Sequence, residues 1–249
     1  MWGFAPAESA IKVKDFFIEE KLTEILIPGI GYGRNAKIFL ENGINVTGIE
    51  ISETAIRLAR SENKLEIPIY HGSVAKMPFD SKLYDGIFSY ALIHLFNSRE
   101  WKEFISNCYK QLKYGGYMFF STISKKDSLY EKGKLVSKDR IELMNGAKVF
   151  FYDAESIKKE FEKYGLMDFS ELDEPVKFDS KQPPMKFTMI KCKKMPAANA
   201  RACCTATTIS SNSNAWTTQT FVRTHTEKTA ENRQCTTQRK KTKICCNCY

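Results

Sequence analysis

The run Ile25-Leu26-Ile27-Pro28-Gly29-Ile30-Gly31-Tyr32-Gly33-Arg34-Asn35-Ala36 constrains this chain more than any other stretch. An apolar, strand-like run is broken by three alternating glycines and followed by a helix-like segment. Glycine lets the backbone turn sharply and admits a ligand against the main chain, while the start of a helix presents unpaired N–H groups to negative charge. The residues therefore predict a strand, a bare loop and a helix, with a nucleotide-like group resting on the loop. A tight turn that serves only the fold is the alternative. The spacing is G-x-G-x-G, and Arg34 stands where the dinucleotide pattern G-x-G-x-x-G has its last glycine. The close helix packing of a pyrophosphate site is then lost, which weighs against NAD.

A second strand-like run, Val46-Thr47-Gly48-Ile49-Glu50-Ile51-Ser52, ends in a carboxylate. At the tip of the strand beside the loop, Glu50 is placed to accept hydrogen bonds from both hydroxyls of a ribose. Taken alone, it also suits the start of a helix capped by Ser52. In all, strands are expected at Glu24 to Pro28, Asn45 to Ile51, Glu66 to Tyr70, Tyr84 to Ser89, Tyr117 to Ile123, Met167 to Asp173 and Lys186 to Cys192. Helical spacing is expected over Arg34 to Glu41, Ser52 to Ser61, Arg99 to Leu112 (stopped by Gly115-Gly116) and Ala154 to Tyr164 (capped by Asp153, ended by Gly165). Short strands alternating with such helices imply a doubly wound α/β fold. Seven strands are expected, mostly parallel, with the Pro183-Pro184 pair read as a turn into an antiparallel last strand. Ser124 to Phe151 is long for a connection in such a fold and is expected to be a substrate lid.

At this point the chain resembles the class I S-adenosylmethionine-dependent methyltransferases, in particular the small-molecule branch with the tellurite-resistance and thiopurine-type enzymes. The resemblance runs from about Trp2 to Lys194. Besides the glycine loop and Glu50, it is carried by His71-Gly72-Ser73-Val74-Ala75-Lys76-Met77-Pro78-Phe79, by Tyr84-Asp85-Gly86-Ile87-Phe88-Ser89-Tyr90 and by Gln111-Leu112-Lys113-Tyr114-Gly115-Gly116-Tyr117. It implies a Rossmann-like fold with S-adenosylmethionine as cofactor, held by Pro28, Gly29, Gly31, Gly33, Asn35, Glu50, Ile51, Ser73, Val74 and Tyr90. Three departures stand out. Ser73 occupies the place of the acid that usually meets the adenine amine, and Tyr114 replaces a proline before the glycine pair. The chain also begins at Trp2-Gly3-Phe4 without the additional helix that the family generally lays over the cofactor, implying a truncated start or a more open pocket.

By the same resemblance the acceptor meets the cofactor near Tyr90, Ala91, His94 and Ile123, and the catalytic candidates are His94 and Tyr90. A histidine titrates near neutrality and suits a base, although at a helix start it serves equally well as a structural hydrogen-bonding group. Ser89-Tyr90-Ala91-Leu92 stands where amino-methylating enzymes of nucleic acids and glutamine carry an (Asn/Asp)-Pro-Pro-Tyr run. A Pro-Cys nucleophile is also lacking, so a small-molecule acceptor is expected, on an O, N or S atom. An NAD-dependent oxidoreductase and a non-catalytic S-adenosylmethionine-binding protein are the other readings.

Charge and cysteine divide the chain near residue 194. The net charge is +9, of which +6 falls in residues 195–249 and +3 in residues 1–194, so no basic face for nucleic acid is expected in the body. Six of the eight cysteines also lie in that tail, which has no Leu, Gly or Asp. Residues 1–194 are expected to form the methyltransferase domain, and residues 195–249 a disordered, Thr/Cys/Lys-rich tail, or a segment foreign to the native sequence. Cys245 and Cys248 form a C-x-x-C without a second ligand pair at suitable distance, so no metal is expected. With no stretch approaching the ~18 apolar residues of a membrane span and no secretory start, the expected location is the cytoplasm, without a membrane partner.

Overall fold

The computed structural model describes residues 3, 5–174 and 183–196. In chain order the elements are α1 (Glu8–Glu19), β1 (Glu24–Pro28), α2 (Ala36–Leu40), β2 (Asn45–Glu50), α3 (Glu53–Ser61), β3 (Ile69–His71) and β4 (Tyr84–Tyr90). After these come α4 (Ser98–Gln111), β5 (Leu112–Ile123), β6 (Lys134–Ser137), β7 (Arg140–Glu142), β8 (Lys148–Phe150), α5 (Ala154–Phe161), β9 (Leu166–Glu174) and β10 (Met185–Lys193). A seven-stranded sheet has the order β3-β2-β1-β4-β5-β10-β9. Only β10 runs against the others, inserted between β5 and β9. This is the mostly parallel, Rossmann-like sheet with an antiparallel last strand that the sequence predicts.

Strand side chains alternate between the two faces. Ile25, Ile27, Phe88 and Phe119 pack with α1 and α2, through Val13, Phe17 and Phe39. Leu26, Ile87, Met118 and Phe120 meet α4 and α5, through Trp101, Phe104, Ile105, Ile157 and Phe161. Burial on both faces is why these strands read as continuous apolar runs. Local signals set the helix starts. Ser52 accepts the Ala55 N–H, Asn97 and Glu100 form a capping box on α4, and Asp153 with Ser156 does so on α5.

Four expectations shift. β3 starts at Ile69 rather than Glu66, because Pro68 has no N–H to give a ladder. β5 begins at Leu112 rather than Tyr117. The Gly115-Gly116 pair bulges within the strand instead of ending the helix, and the pairing jumps from Tyr84↔Leu112 to Gly86↔Tyr117. The expected start without a helix is corrected by α1, whose Ala10, Val13 and Phe17 are wholly buried. The Ser124 to Phe151 connection holds strands of its own, a three-stranded antiparallel sheet, β6-β7-β8. Its Ile141 and Val149, with Phe151 beyond β8, pack on Ile123, Leu172 and Phe187 at the carboxyl ends of the central strands.

No helix among the described residues is long and apolar enough to cross a membrane. Nor does any group of three or more His, Cys, Asp or Glu among them stand ready for a metal ion. Residues 175–182 and the tail from residue 197 onward, with its cysteines, lie outside the described residues.

Candidate functional site

The glycine loop leaves β1 and is tied at once to the next strand. The Gly29 and Ile30 N–H groups donate to the Ile49 carbonyl at 2.8 and 3.1 Å. The Gly31 N–H donates to Glu50 Oε2 at 2.8 Å, and Glu50 Oε1 accepts the Ser52 N–H at 2.9 Å. The sequence-predicted pair of bare loop and strand-tip carboxylate is thus brought into direct contact. An ionised carboxylate has about four lone-pair sites, so these two bonds leave Glu50 with capacity for two further donors.

The glycines do different work. Gly33 has φ 84°, and a Cβ there would stand 2.2 Å from Leu65 Cδ1, so it serves close packing of the loop on the end of α3. Gly31 has φ 59°, and a Cβ there would meet nothing within 4 Å, leaving open space beside a half-buried main chain. Gly29 lies under the Leu92 side chain. One residue beyond Glu50, Ile51 is 66% exposed. A large apolar side chain at that lip is suited to being covered by a flat ring. His71 holds its backbone in place, with Nε2 at 3.0 Å from the Ile51 carbonyl oxygen.

The remaining sequence-predicted residues fall into two groups. Pro28 is buried at the tip of β1, paired in register with Ile49. Val74 is buried in the core, and the Ser73 hydroxyl accepts the Ala75 N–H at 3.3 Å, capping a short turn. Asn35 is engaged by the arm before α1, its Oδ1 accepting the Ala7 N–H at 2.9 Å. Tyr90 and His94 come together around a residue the sequence reading did not single out, Phe187 of β10. Tyr90 stacks on that ring at 5.8 Å, and His94 meets it edge-on at 6.1 Å.

The chemistry of these two groups follows from burial. His94 is buried, which disfavours the imidazolium and lowers its pKa to about 4. Its Nδ1 stands 3.2 Å from the Thr122 hydroxyl and 3.4 Å from the Ile123 N–H. A backbone N–H can only donate, so Nδ1 accepts and the ring proton resides on Nε2. Burial likewise pushes the Tyr90 phenol upward; the negative charge of Glu174 adds to this, and the Arg34 charge and hydrogen bond oppose it. Both groups are neutral at physiological pH. Between them Ala91 has φ 51°, an uncommon conformation for a side-chain-bearing residue, held by its N–H bond to the Ser121 carbonyl at 2.8 Å.

Sequence reasoning also missed the arm before α1. The Tyr32 hydroxyl donates to the Gly3 carbonyl at 2.6 Å and Arg34 to the Ala5 carbonyl at 3.1 Å. Neither contact leaves a local trace in the sequence. The helical spacing of Ala10, Val13 and Phe17 was the available signal for α1 itself.

Residues 26–120 match the family described as a methyltransferase domain. No curated protein matches the chain. Among solved structures, it is similar to an S-adenosylmethionine-dependent methyltransferase from Methanosarcina mazei, at 18% identity and a TM-score of 0.61, over 72% of this chain and 98% of that one. The 1,6-didemethyltoxoflavin-N1-methyltransferase of Burkholderia thailandensis, solved with its substrate and S-adenosylhomocysteine, gives 13% identity and a TM-score of 0.57, over 76% and 80%. TehB from Haemophilus influenzae gives 18% and 0.54, over 74% and 61%. At these identities the likenesses bear on the fold.

Proposed function

We propose that this chain, whose residues 26–120 match a methyltransferase domain, transfers a methyl group from S-adenosylmethionine to an O, N or S nucleophile of a small uncharged molecule, and that residues 1–194 are the working unit. The observation that carries the cofactor side is the Gly31–Glu50 contact at 2.8 Å, beside open space at Gly31. Glu50 would hold the ribose hydroxyls, the loop from Pro28 to Gly33 the methionyl part, and Ile51, Ser73 and Val74 the adenine. The Ser73 hydroxyl already caps a turn, so the Val74 backbone and the Ile51 side chain would carry most of the contact with the base.

When bound, S-adenosylmethionine supplies an electrophilic methyl group on a sulfonium centre. What remains for the chain is alignment and the exclusion of water, which can supply much of the acceleration of a displacement. Tyr90, His94 and Phe187 form a neutral, largely aromatic wall, and the β6-β7-β8 sheet packs above it as the lid. That wall favours an acceptor without net charge. In this reading His94 is a hydrogen-bond donor through Nε2 that orients the acceptor, and its occupied Nδ1 and depressed pKa argue against a base. Asn35 acts on the loop only through its bond to Ala7.

The test is calorimetric titration with S-adenosylhomocysteine, with NAD as control. Micromolar binding of the first and none of the second is expected. Glu50→Ala should weaken binding by ~1.5 to 3 kcal/mol, roughly 10- to 150-fold, the usual worth of hydrogen bonds to a charged group. Unchanged affinity in that variant would remove Glu50 from the site.

A further inference from the structure

The reading above leaves a buried carboxylate without a task. Glu174, the last residue of β9, has none of its surface exposed. Its carboxylate accepts the Glu8 N–H and the Ser9 N–H at 3.1 Å each, so a residue from the edge strand caps the first turn of α1. The helix needs this help, since its own N-cap position is Ala7, which has no side-chain acceptor. Burial raises the Glu174 pKa, and the bonds from Ser9 and Glu8 oppose that only in part, so the buried carboxylate is held in place at a cost.

Arg34 holds the same arm from the side of the loop. Its guanidinium lies 5.1 Å from the centre of the Tyr90 ring and donates to the Ala5 carbonyl at 3.1 Å, and its charge adds a small opposition to the burial that raises the Glu174 pKa. Its neighbours hold the same arm, Tyr32 through Gly3 and Asn35 through Ala7. Loop residues 32, 34 and 35 thus grip residues 3, 5 and 7 in order. Arg34 occupies the position where a pyrophosphate-binding loop has glycine, which gives the departure from that pattern a physical purpose.

We infer that Glu174 is a positioning residue: by capping the first turn of α1 it fixes one end of the arm of residues 5–9 whose other end Arg34 grips from the glycine loop, so that one carboxylate outside the site governs cofactor retention. This rests on the glycine loop being the cofactor site. It predicts that a bound cofactor and a closed arm stabilise each other, because each fixes the loop from one side.

The experiment compares Glu174→Gln, Arg34→Met and the double variant in calorimetric titration with S-adenosylhomocysteine, alongside melting curves. Glutamine keeps the shape and one acceptor oxygen but removes the charge. Each single variant should bind about tenfold more weakly with a melting temperature within about 5 °C of the unmodified chain, and the double variant should be no weaker than either single one. An affinity within twofold for Glu174→Gln overturns the inference, as do effects that multiply to about a hundredfold in the double variant. Hydrogen exchange on the unmodified chain covers the case in which a variant fails to fold. The Glu8 and Ser9 amides should exchange several-fold more slowly with S-adenosylhomocysteine present, and unchanged exchange at saturation overturns the inference. An unmodified chain that does not bind S-adenosylhomocysteine defeats the cofactor reading itself; a chain that binds it with an indifferent arm defeats the latch alone.

Discussion

A buried neutral histidine makes the fold sensitive to mild acid, and His94 gives that sensitivity a size. Its pKa falls from an ordinary 6.5 to about 4 in the folded chain because burial penalises the imidazolium. Between those values the unfolded chain binds more protons than the folded one, so stability is fully present above about pH 6.5 and declines as pH falls toward 4. At pH 5 the difference in proton binding amounts to roughly 2 kcal/mol relative to pH 7.5, a large part of the ~5 to 15 kcal/mol by which domains are usually stable. Urea denaturation at the two pH values measures it directly, provided the variant His94→Gln is run beside the unmodified chain to subtract every other titrating group. The unmodified chain should lose about 2 kcal/mol more than the variant between pH 7.5 and 5. Equal losses would mean that His94 charges freely in the folded state, and the assignment of its ring proton to Nε2 would fall with it.

Other substitutions separate the roles of neighbouring residues. Gly33→Ala places a Cβ 2.2 Å from Leu65 at a φ of 84°, and should cost about 2 kcal/mol in chemical denaturation. Gly31→Ala meets no atom within 4 Å, so its stability cost should stay near ~1 kcal/mol of backbone strain, while binding of S-adenosylhomocysteine falls more than tenfold. Asp153→Ala removes the cap of α5 and a partner of Lys125, and should cost about 1 to 2 kcal/mol at neutral pH. Burial works against ionisation of Asp153, but Lys125 and Ser156 prevail and hold its pKa at about 2. The unmodified chain should therefore lose this contribution as pH falls from about 4 toward 2, and the variant should show no such loss in the same denaturation series.

What the sequence discloses divides by distance along the chain. The loop, Glu50, the Ser52 cap and the Asp153 cap are local: each is a residue type whose chemistry is expressed within a few positions of itself. Glu174 capping residues 8 and 9, and Phe187 lying between Tyr90 and His94, are contacts across most of the domain, and no window of residues announces them. Intermediate cases went astray for physical reasons that can be named. A glycine pair was read as a helix stop, whereas the bond from the Gly115 N–H to the Lys194 carbonyl at 2.7 Å holds it as a bulge in the sheet. Arg34 was weighed only as a bulky residue where glycine was wanted, since its partners come from the arm and from β4.

The single reversed strand has a practical corollary. Because β10 opposes β5 from Ile123 back to Tyr117, the chain ends its passage through the sheet at the rim opposite the carboxyl ends of the parallel strands. There the Lys194 ammonium rests on the carbonyls of Tyr109 and Leu112 at 2.9 and 2.7 Å. A handle fixed to that rim for immobilisation on a sensor chip would leave the glycine loop facing the bulk solution, whereas one attached ahead of Gly3 would crowd that loop.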